Sequence, residues 1–183
     1  MDTDLFGAPM RLDVDFATGW LAEHDELVRN DRVRRLRKTI AIYPEDGFVM
    51  PLDTYAVFSE ARSTYINGDF VATVMVAQAF VEHRLQAYLE ARGERQLARA
   101  GLARILRFIR KRGLLDPVVV RGLDHLRNIR NPFAHLRPFD DPHGLGRRSL
   151  DQRIDPSELM EREAFTALSL MLTVAVARFP GDR

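Results

Sequence analysis

The sequence predicts an all-α protein, a bundle of about five helices over residues 51–183 that follows an N-terminal extension over residues 1–50. Three observations predict this class. Apolar residues recur every three or four positions from residue 51 onward, which is the spacing of a helix that buries one face. Glycine or an Asp-Pro pair stands at the boundaries of these periodic stretches, where helices commonly stop and start. The segments between them are short, as between neighbouring helices of a bundle.

Each of the five predicted helices has a recognisable boundary, either a capping Asp before it or a glycine after it. The capping residues are Asp53, Asp69, Asp116 and Asp155, and the terminating glycines are Gly68, Gly93 and Gly113. The helices are predicted over residues 53–68, 69–93, 97–112, 116–130 and 159–179. Residues 155–158 resemble a capping box in front of the last helix, which is the most apolar. The stretch 138–153, rich in Pro, Gly, Asp and Arg, predicts a loop.

The N-terminal extension has a different pattern. Residues 21–38 predict a helix. Residues 39–43 and 48–50 flank the turn-forming sequence Pro44-Glu45-Asp46-Gly47, which suits a small hairpin. We therefore expect one helix and a short hairpin before the bundle domain.

The composition limits the classes of function. The chain has 183 residues, enough for one well-packed domain and an appendage, and its formal net charge is +1. The absence of cysteine excludes disulfides, cysteine-based zinc sites and thiol catalysis. The first residues, Met1-Asp2-Thr3-Asp4, are acidic where a signal peptide would be basic, and no apolar run approaches membrane-spanning length. We therefore expect a cytoplasmic protein with no membrane partner.

Basic residues are concentrated in two segments, 29–38 and 92–112, although the total charge is near neutral. Such stripes can follow a phosphate backbone. The candidate RNA-binding residues are Arg104, Arg107 and Lys111. The alternative is that these residues form a solvated helix face. Nearly every basic residue is Arg, which indicates a general preference for arginine in the composition of the chain.

One short run carries more functional information than any other, namely Leu126-Arg127-Asn128-Ile129-Arg130-Asn131-Pro132-Phe133-Ala134-His135. Within it, Arg130 and Asn131 are followed after three residues by His135. A permanent cation, a neutral amide and a side chain that titrates near neutrality therefore lie within six positions. Arg binds an anion in a fork, Asn adds hydrogen-bond donors, and His transfers a proton near neutral pH. The trio suits the handling of a phosphate.

The spacing Arg-Asn-x-x-x-His at the end of an amphipathic helix resembles the signature of the HEPN superfamily, small helical domains that include many metal-independent endoribonucleases. The order of the pieces adds to the resemblance over residues 53–179. Gly68-Asp69 joins two long helices, residues 113–116 precede the motif helix, and residues 126–135 close it. The most similar HEPN domains have the motif Arg-Asn-x-x-Ala-His and include relatives of the mannitol operon repressor.

The resemblance implies a two-fold homodimer that cuts RNA without a metal or any other cofactor. Both motifs would share one cleft, with His135 as general base or acid, Arg130 stabilising the phosphorane and Asn131 orienting the histidine or the phosphate. The 2′-hydroxyl of RNA would be the nucleophile, so DNA would be spared. The resemblance also implies a toxin–antitoxin or phage-defence setting, with an antitoxin or regulatory protein as partner.

Two alternatives to the enzyme remain open. Some HEPN domains with this motif lack nuclease activity, so the chain could be a non-catalytic module that binds a protein or nucleotide and regulates transcription or assembly. It could also be a structural dimer whose motif packs the interface. The retained Arg130, Asn131 and His135 favour the enzyme, whereas the near-neutral overall charge favours the module.

Pro132 bears on the geometry of the motif. On an undisturbed helix Arg130 and His135 would be about 140° apart, since each residue turns by about 100°. Pro132 lacks a backbone donor and disfavours helical geometry at Asn131, so we expect the helix to break there, with Asn131 capping a new turn. That bend would bring His135 back toward Arg130. The alternative is an ordinary helix end with His135 on the surface.

Gln78 and Glu82 are supporting candidates, because they lie on an otherwise apolar face of the second predicted helix. A buried carboxylate needs a partner, and an arginine of the motif helix, Arg127 or Arg130, is the natural one, with Arg127 preferred. The alternative is that Glu82 lies in water at the edge of the apolar stripe.

Neither a metal nor a stacking site is expected from the other side chains. His135, Asp140, Asp141 and His143 could imitate a metal site, but their spacing matches no known ligand pattern. The aromatic residues expected in the core are Phe58, Tyr65, Phe70, Phe80 and Phe108.

Overall fold

The computed structural model describes residues 14–44, 50–138 and 140–179. In these residues it has eight helices and no strand, so the all-α prediction is confirmed. The helices are α1 (Val14–Ala41), α2 (Leu52–Asn67), α3 (Phe70–Ala91), α4 (Arg95–Ala98), α5 (Leu102–Arg112), α6 (Pro117–Ala134), α7 (Leu145–Gln152) and α8 (Pro156–Val176).

The core lies around α3 and α8, the two long helices at the centre of the bundle. α3 packs against α2, α6 and α8, and α8 also contacts α2, α6 and α7. Large apolar side chains at these contacts are fully buried, among them Phe80, Leu85, Leu123 and Leu168. Burial of one such side chain contributes about 1.5–3 kcal/mol relative to leaving it in water. α6, which carries the motif, contacts both central helices and is held along its apolar face.

Local capping rules locate several helix ends. Asp116 and Asp155 cap α6 and α8, and each side chain accepts a hydrogen bond from a backbone N–H in the first turn. These two predicted caps are confirmed. The predicted cap at Asp53 is wrong, because α2 begins at Leu52 and Asp53 lies in its first turn, where the helix dipole also favours a carboxylate. Asp69 precedes α3 without a side-chain hydrogen bond.

Gly68 and Gly113 end α2 and α5 in the left-handed conformation, with φ values of 95° and 62°, as their positions predict. Gly68 has a second role. A Cβ atom at this position would lie 2.9 Å from Nη1 of Arg35, whereas one at Gly113 would meet nothing within 4 Å. Gly68 therefore ends a helix and also leaves room for an arginine of α1.

The third predicted helix is divided in the structure. α4 ends at Ala98, and α5 begins anew behind Gly101, whose extended backbone (φ −67°, ψ 156°) precedes the first turn. The last helix has the predicted length of 21 residues but begins and ends three residues earlier than predicted. α8 ends at Val176, and Phe179 beyond it packs on Tyr88, with ring centroids 4.5 Å apart.

The predicted loop over residues 138–153 is wrong in part, because α7 lies within it. Few apolar residues mark α7, and tertiary contacts hold it in place. Arg148 pairs with Glu163 of α8, both side chains being buried, and the Ser149 hydroxyl donates to the Ile154 carbonyl at 2.5 Å.

The predicted hairpin is not formed in the part of it that the structure describes. Residues 39–41 are helical and belong to α1, which is longer than predicted, and Met50 is in no strand. Thr39 is buried, and its hydroxyl donates to the Arg35 carbonyl one turn earlier at 2.9 Å. This bond satisfies the threonine within a helix. Residues 48 and 49 of the second predicted strand lie outside the described residues.

The C-terminal part of α1 packs on α2 and is tied to α8 through one carboxylate. Glu161 of α8 accepts a hydrogen bond from Nη2 of Arg34 at 2.8 Å and one from Nζ of Lys38 at 3.2 Å, and Nε of Arg35 lies 3.6 Å away. The hydrogen bond from Arg34 is the main reason that the pKa of Glu161 falls to about 2. The same bond raises the pKa of Arg34. We call these four residues the Glu161 cluster.

Candidate active site

The motif residues lie at the C-terminal end of α6. Four apolar residues bury the opposite face of the helix in the core, namely Val120, Leu123, Leu126 and Ile129. Arg130 and Asn131 follow in the last turns and are half-buried, and His135 is exposed just past the helix. The three predicted residues therefore lie at one end of one helix, where the chain turns outward into solvent.

The predicted break at Pro132 is wrong, because α6 continues through it to Ala134. The proline removes a single helical donor, the one that would face the Asn128 carbonyl. The next residue, Phe133, packs against the core, and the N–H of His135 donates to the Asn131 carbonyl at 3.0 Å. Asn131 therefore continues the helix and does not cap a new turn. The chain leaves the helix at His135, which is extended (φ −141°, ψ 135°).

Arg130 has a guanidinium without a partner in the part of the chain that the structure describes. Its Nε atom is buried and makes no hydrogen bond, and no ion pair is formed by its side chain. Two other arginines also have a buried Nε without a hydrogen bond, but each has another partner. Arg35 faces Glu161 at 3.6 Å, and Arg62 lies over the ring of Tyr43 at 5.6 Å from its centroid. Neither kind of partner is present at Arg130 among the described residues.

No side-chain hydrogen bond joins Arg130, Asn131 and His135 to one another within the described residues. The backbone brings the three side chains to the same end of α6 but leaves them unlinked. A phosphate placed there would be the bridging group, because its oxygens accept bonds from guanidinium, amide and imidazole alike.

The supporting residues are paired differently from the prediction. Arg127 donates from Nε to Oδ1 of Asp124 at 3.1 Å, one turn earlier on α6. Glu82 accepts a hydrogen bond from Nε2 of Gln78 at 2.6 Å and forms no ion pair with Arg127 or Arg130. Gln78 is buried, as expected for the apolar face of α3, and its Oε1 has no partner. The expected ion pair between α3 and α6 is therefore wrong, since each polar residue finds its partner on its own helix.

The three candidate RNA-binding residues lie together. Arg104, Arg107 and Lys111 line a groove of about 440 Å³ between α4 and α5. The other lining residues are Glu94, Gln96, Leu97 and Phe108. Phe108, predicted to be core, is half-buried, since it packs against the core and also lines this groove.

No group of side chains in the described residues could hold a metal ion. Asp141, one of the residues that could imitate a metal site, is engaged in its own loop. Its Oδ1 accepts from the N–H of His143 at 2.8 Å, and Oδ2 lies 3.9 Å from Nε of Arg137.

The buried pair between Arg148 and Glu163 was not among the predicted features. Its signal in the sequence is Glu163 itself, a carboxylate on the buried face of the apolar helix α8. Because Arg148 was predicted to lie in a loop, it was not identified as the partner of Glu163. The pair joins α7 to α8 and includes none of the motif residues.

None of the helices in the described residues combines the length and apolar character needed to cross a membrane. Comparison of the chain with models of known protein families, with curated proteins and with solved structures gave no significant match. The relationship to HEPN domains therefore stays a prediction that rests on the motif and on the order of the helices.

Proposed function

We propose that this protein is a metal-independent endoribonuclease of the HEPN type, with Arg130, Asn131 and His135 as its catalytic residues. The observation that carries the proposal is the buried Nε of Arg130, which lacks a hydrogen-bond partner and an ion pair in the described chain. A buried charged donor without a partner is costly, so an anion that completes it gains free energy. Exposed His135, five residues on, supplies a proton-transfer group at the same end of α6.

The reaction follows from these groups. His135 takes the proton of the 2′-hydroxyl, and the 2′-oxygen forms a bond to the adjacent phosphorus. The bond from phosphorus to the 5′-oxygen of the next nucleotide breaks, which leaves a 2′,3′-cyclic phosphate and a 5′-hydroxyl end. Arg130 stabilises the charge on the equatorial oxygens of the phosphorane, and Asn131 donates to the phosphate or to the histidine.

A second histidine is needed because the leaving 5′-oxygen requires a proton while His135 is acting as base. In a two-fold dimer with both motifs in one cleft, His135 of the partner subunit supplies it. A chain that stays monomeric in light scattering at tens of micromolar would contradict this arrangement. By the family resemblance, the activity belongs to a toxin–antitoxin or phage-defence setting, with an antitoxin or regulatory protein as a further partner.

The test is cleavage of single-stranded RNA in EDTA, with the ends of the products identified. We expect a 2′,3′-cyclic phosphate, and a loss of about 10²–10⁴-fold in rate for His135→Ala, the usual contribution of a general acid or base. His125→Ala is the matched control, because His125 is an exposed histidine of α6 ten residues before His135, and it should retain the wild-type rate. Cleavage that EDTA abolishes, or that His135→Ala leaves intact, would contradict the mechanism.

One observation favours the non-catalytic module as the second candidate. α6 runs through Pro132, and no hydrogen bond joins the three motif residues in the described chain, so the trio is not preassembled within one protomer. A module would bind its partner without cutting RNA. Wild-type protein that dimerises and yet leaves every RNA intact would favour this second function.

A further inference from the structure

The groove between α4 and α5 combines positive charge with an aromatic wall. The groove has a volume of about 440 Å³. Its lining includes Glu94, Leu97, Arg104, Arg107, Phe108 and Lys111. This volume falls within the range of about 300–1,000 Å³ that is usual for small-molecule pockets. We refer to it as the α4–α5 groove.

The three cations of the groove follow one face of α5. Arg104, Arg107 and Lys111 are three and four residues apart, so they stand one above another along about 10 Å of helix. All three are exposed, and none forms an ion pair with a described residue. Some exposed arginines elsewhere are paired, such as Arg95 with Glu90 at 3.5 Å and Arg147 with Asp151 at 3.0 Å.

An apolar wall lies beside the cations. Phe108 is half-buried in the groove, and Leu97 of α4 lies in the same wall. Arg112 lies over the Phe108 ring at 5.6 Å from its centroid, within the range of a cation–π contact. Bases stack on aromatic rings and on guanidinium planes.

Glu94 is the one acidic residue in this lining, and it faces three cations, so the net charge of the groove favours an anion. A row of cations with an aromatic ring beside it is a combination that binds single-stranded nucleic acids. The phosphates contact the cations in succession, and one base unstacks from its neighbours and stacks on the ring. A duplex keeps its bases inside and cannot use the ring.

We propose that the α4–α5 groove binds single-stranded RNA, with Arg104, Arg107 and Lys111 on consecutive phosphates and Phe108 against one base. This inference rests on the proposed function, because the strand bound here is the substrate of the α6 site. Neither contact involves the 2′-hydroxyl, so single-stranded DNA of the same sequence should compete for the groove without being cut.

The test is fluorescence anisotropy with a fluorescein-labelled 12-nucleotide uridine oligomer in EDTA, using His135→Ala protein to prevent cleavage. Replacement of all three cations by Gln, in Arg104→Gln/Arg107→Gln/Lys111→Gln, should raise Kd at least tenfold. It should also lower the slope of log K against log salt by about 2, or about 0.7 for each lost phosphate contact. The control Arg37→Gln/Arg121→Gln/Arg178→Gln removes the same charge from exposed positions outside the groove and should change Kd less than threefold.

A second variant separates stacking from charge. Phe108→Leu keeps an apolar side chain in the wall, and it should raise Kd roughly five- to tenfold while leaving the salt slope unchanged. Circular dichroism melts establish that each variant is folded. Equal weakening by the two triple variants, equal binding of duplex RNA, or equal competition by a polyglutamate peptide of the same charge would each overturn the proposal.

Failure of the groove and failure of the proposed function give different results. If the wild-type protein binds RNA through the groove but never cuts it, the groove proposal holds and the nuclease proposal is rejected. Cleavage that needs His135 but proceeds at the wild-type rate and KM in the groove triple variant would keep the nuclease and reject the groove.

Discussion

Arginines at two places in this molecule have opposite surroundings. In the Glu161 cluster, Arg34, Arg35 and Lys38 all face one carboxylate, and α1 is thereby joined to α8. At the end of α6, Arg130 has a buried Nε with no such partner among the described residues. Among the described residues, a carboxylate is therefore present where these arginines join two helices, and none pairs with Arg130. This difference is the reason to assign the Glu161 cluster to stability and Arg130 to an external anion.

The most buried ion pair in the described residues is that of Arg148 with Glu163, and its loss is the largest effect on stability that we predict. Glu163→Ala leaves a buried guanidinium without its carboxylate, so the free energy of unfolding should fall by about 3–5 kcal/mol in urea titrations. The control Glu158→Ala, an exposed position on the same helix, should cost less than about 1 kcal/mol. Arg148→Met/Glu163→Leu should recover most of the loss. A Glu163→Ala protein as stable as wild type would show that this pair does not stabilise the fold.

The Glu161 cluster predicts a pH dependence of intermediate size. The pKa of Glu161 is about 2 in the folded protein, below its ordinary value of 4.5. Its contribution is therefore complete above about pH 4.5 and is lost as the pH falls toward 2. Because the Arg34 side chain is 44% exposed, water screens the pair and we expect a loss of about 1–2 kcal/mol.

The control for this titration is Glu161→Gln, which cannot ionise. Asp155 also has a lowered pKa, owing to its hydrogen bonds with Ser157, but it is present in both proteins. The difference in unfolding free energy between wild type and Glu161→Gln should therefore shrink between pH 4.5 and 2. A difference that stays constant over this range would show that the cluster does not hold α1 on the bundle through charge.

The smallest effect concerns the space that Gly68 leaves for Arg35. Gly68→Ala introduces a left-handed alanine and also places a methyl group 2.9 Å from the Arg35 guanidinium. Gly113→Ala introduces the left-handed strain without any close contact. We expect Gly68→Ala to lower the unfolding free energy by about 1 kcal/mol more than Gly113→Ala does, in parallel thermal melts. Equal losses would show that Arg35 is not fixed by Gly68.

Features that depend on neighbouring residues in the chain could be predicted from the sequence. Asp116 and Asp155 cap helices because the donors lie two or three residues away, and Gly68 and Gly113 end helices because their own backbone turns left-handed. The wrong predictions involve distant partners. α7 depends on the pairing of Arg148 with Glu163, and the helical geometry at Thr39 goes with its burial against the bundle.

The same distinction between local and distant contacts applies to the candidate site. The sequence placed Arg130, Asn131 and His135 within six positions, and α6 brings them to one helix end. It did not predict that Pro132 would stay helical, since Phe133 anchors the last turn against the core. The sequence-based prediction also paired Glu82 with Arg127. In the structure Arg127 donates to Asp124 and Glu82 accepts from Gln78, and each partner lies one turn away on the same helix.

The most direct test of the contrast between paired and unpaired arginines is Arg130→Lys, with RNA cleavage and thermal melting measured on the same sample. An ammonium keeps the charge but cannot reproduce the planar fork of donors, so cleavage should fall by about 10²–10³-fold. The melting temperature should stay within about 2 °C, since no protein partner is lost. Arg121→Lys, an exposed arginine of α6, is the control and should leave both quantities unchanged. Wild-type cleavage by Arg130→Lys, or a loss of cleavage that accompanies a large fall in melting temperature, would contradict a catalytic role for Arg130.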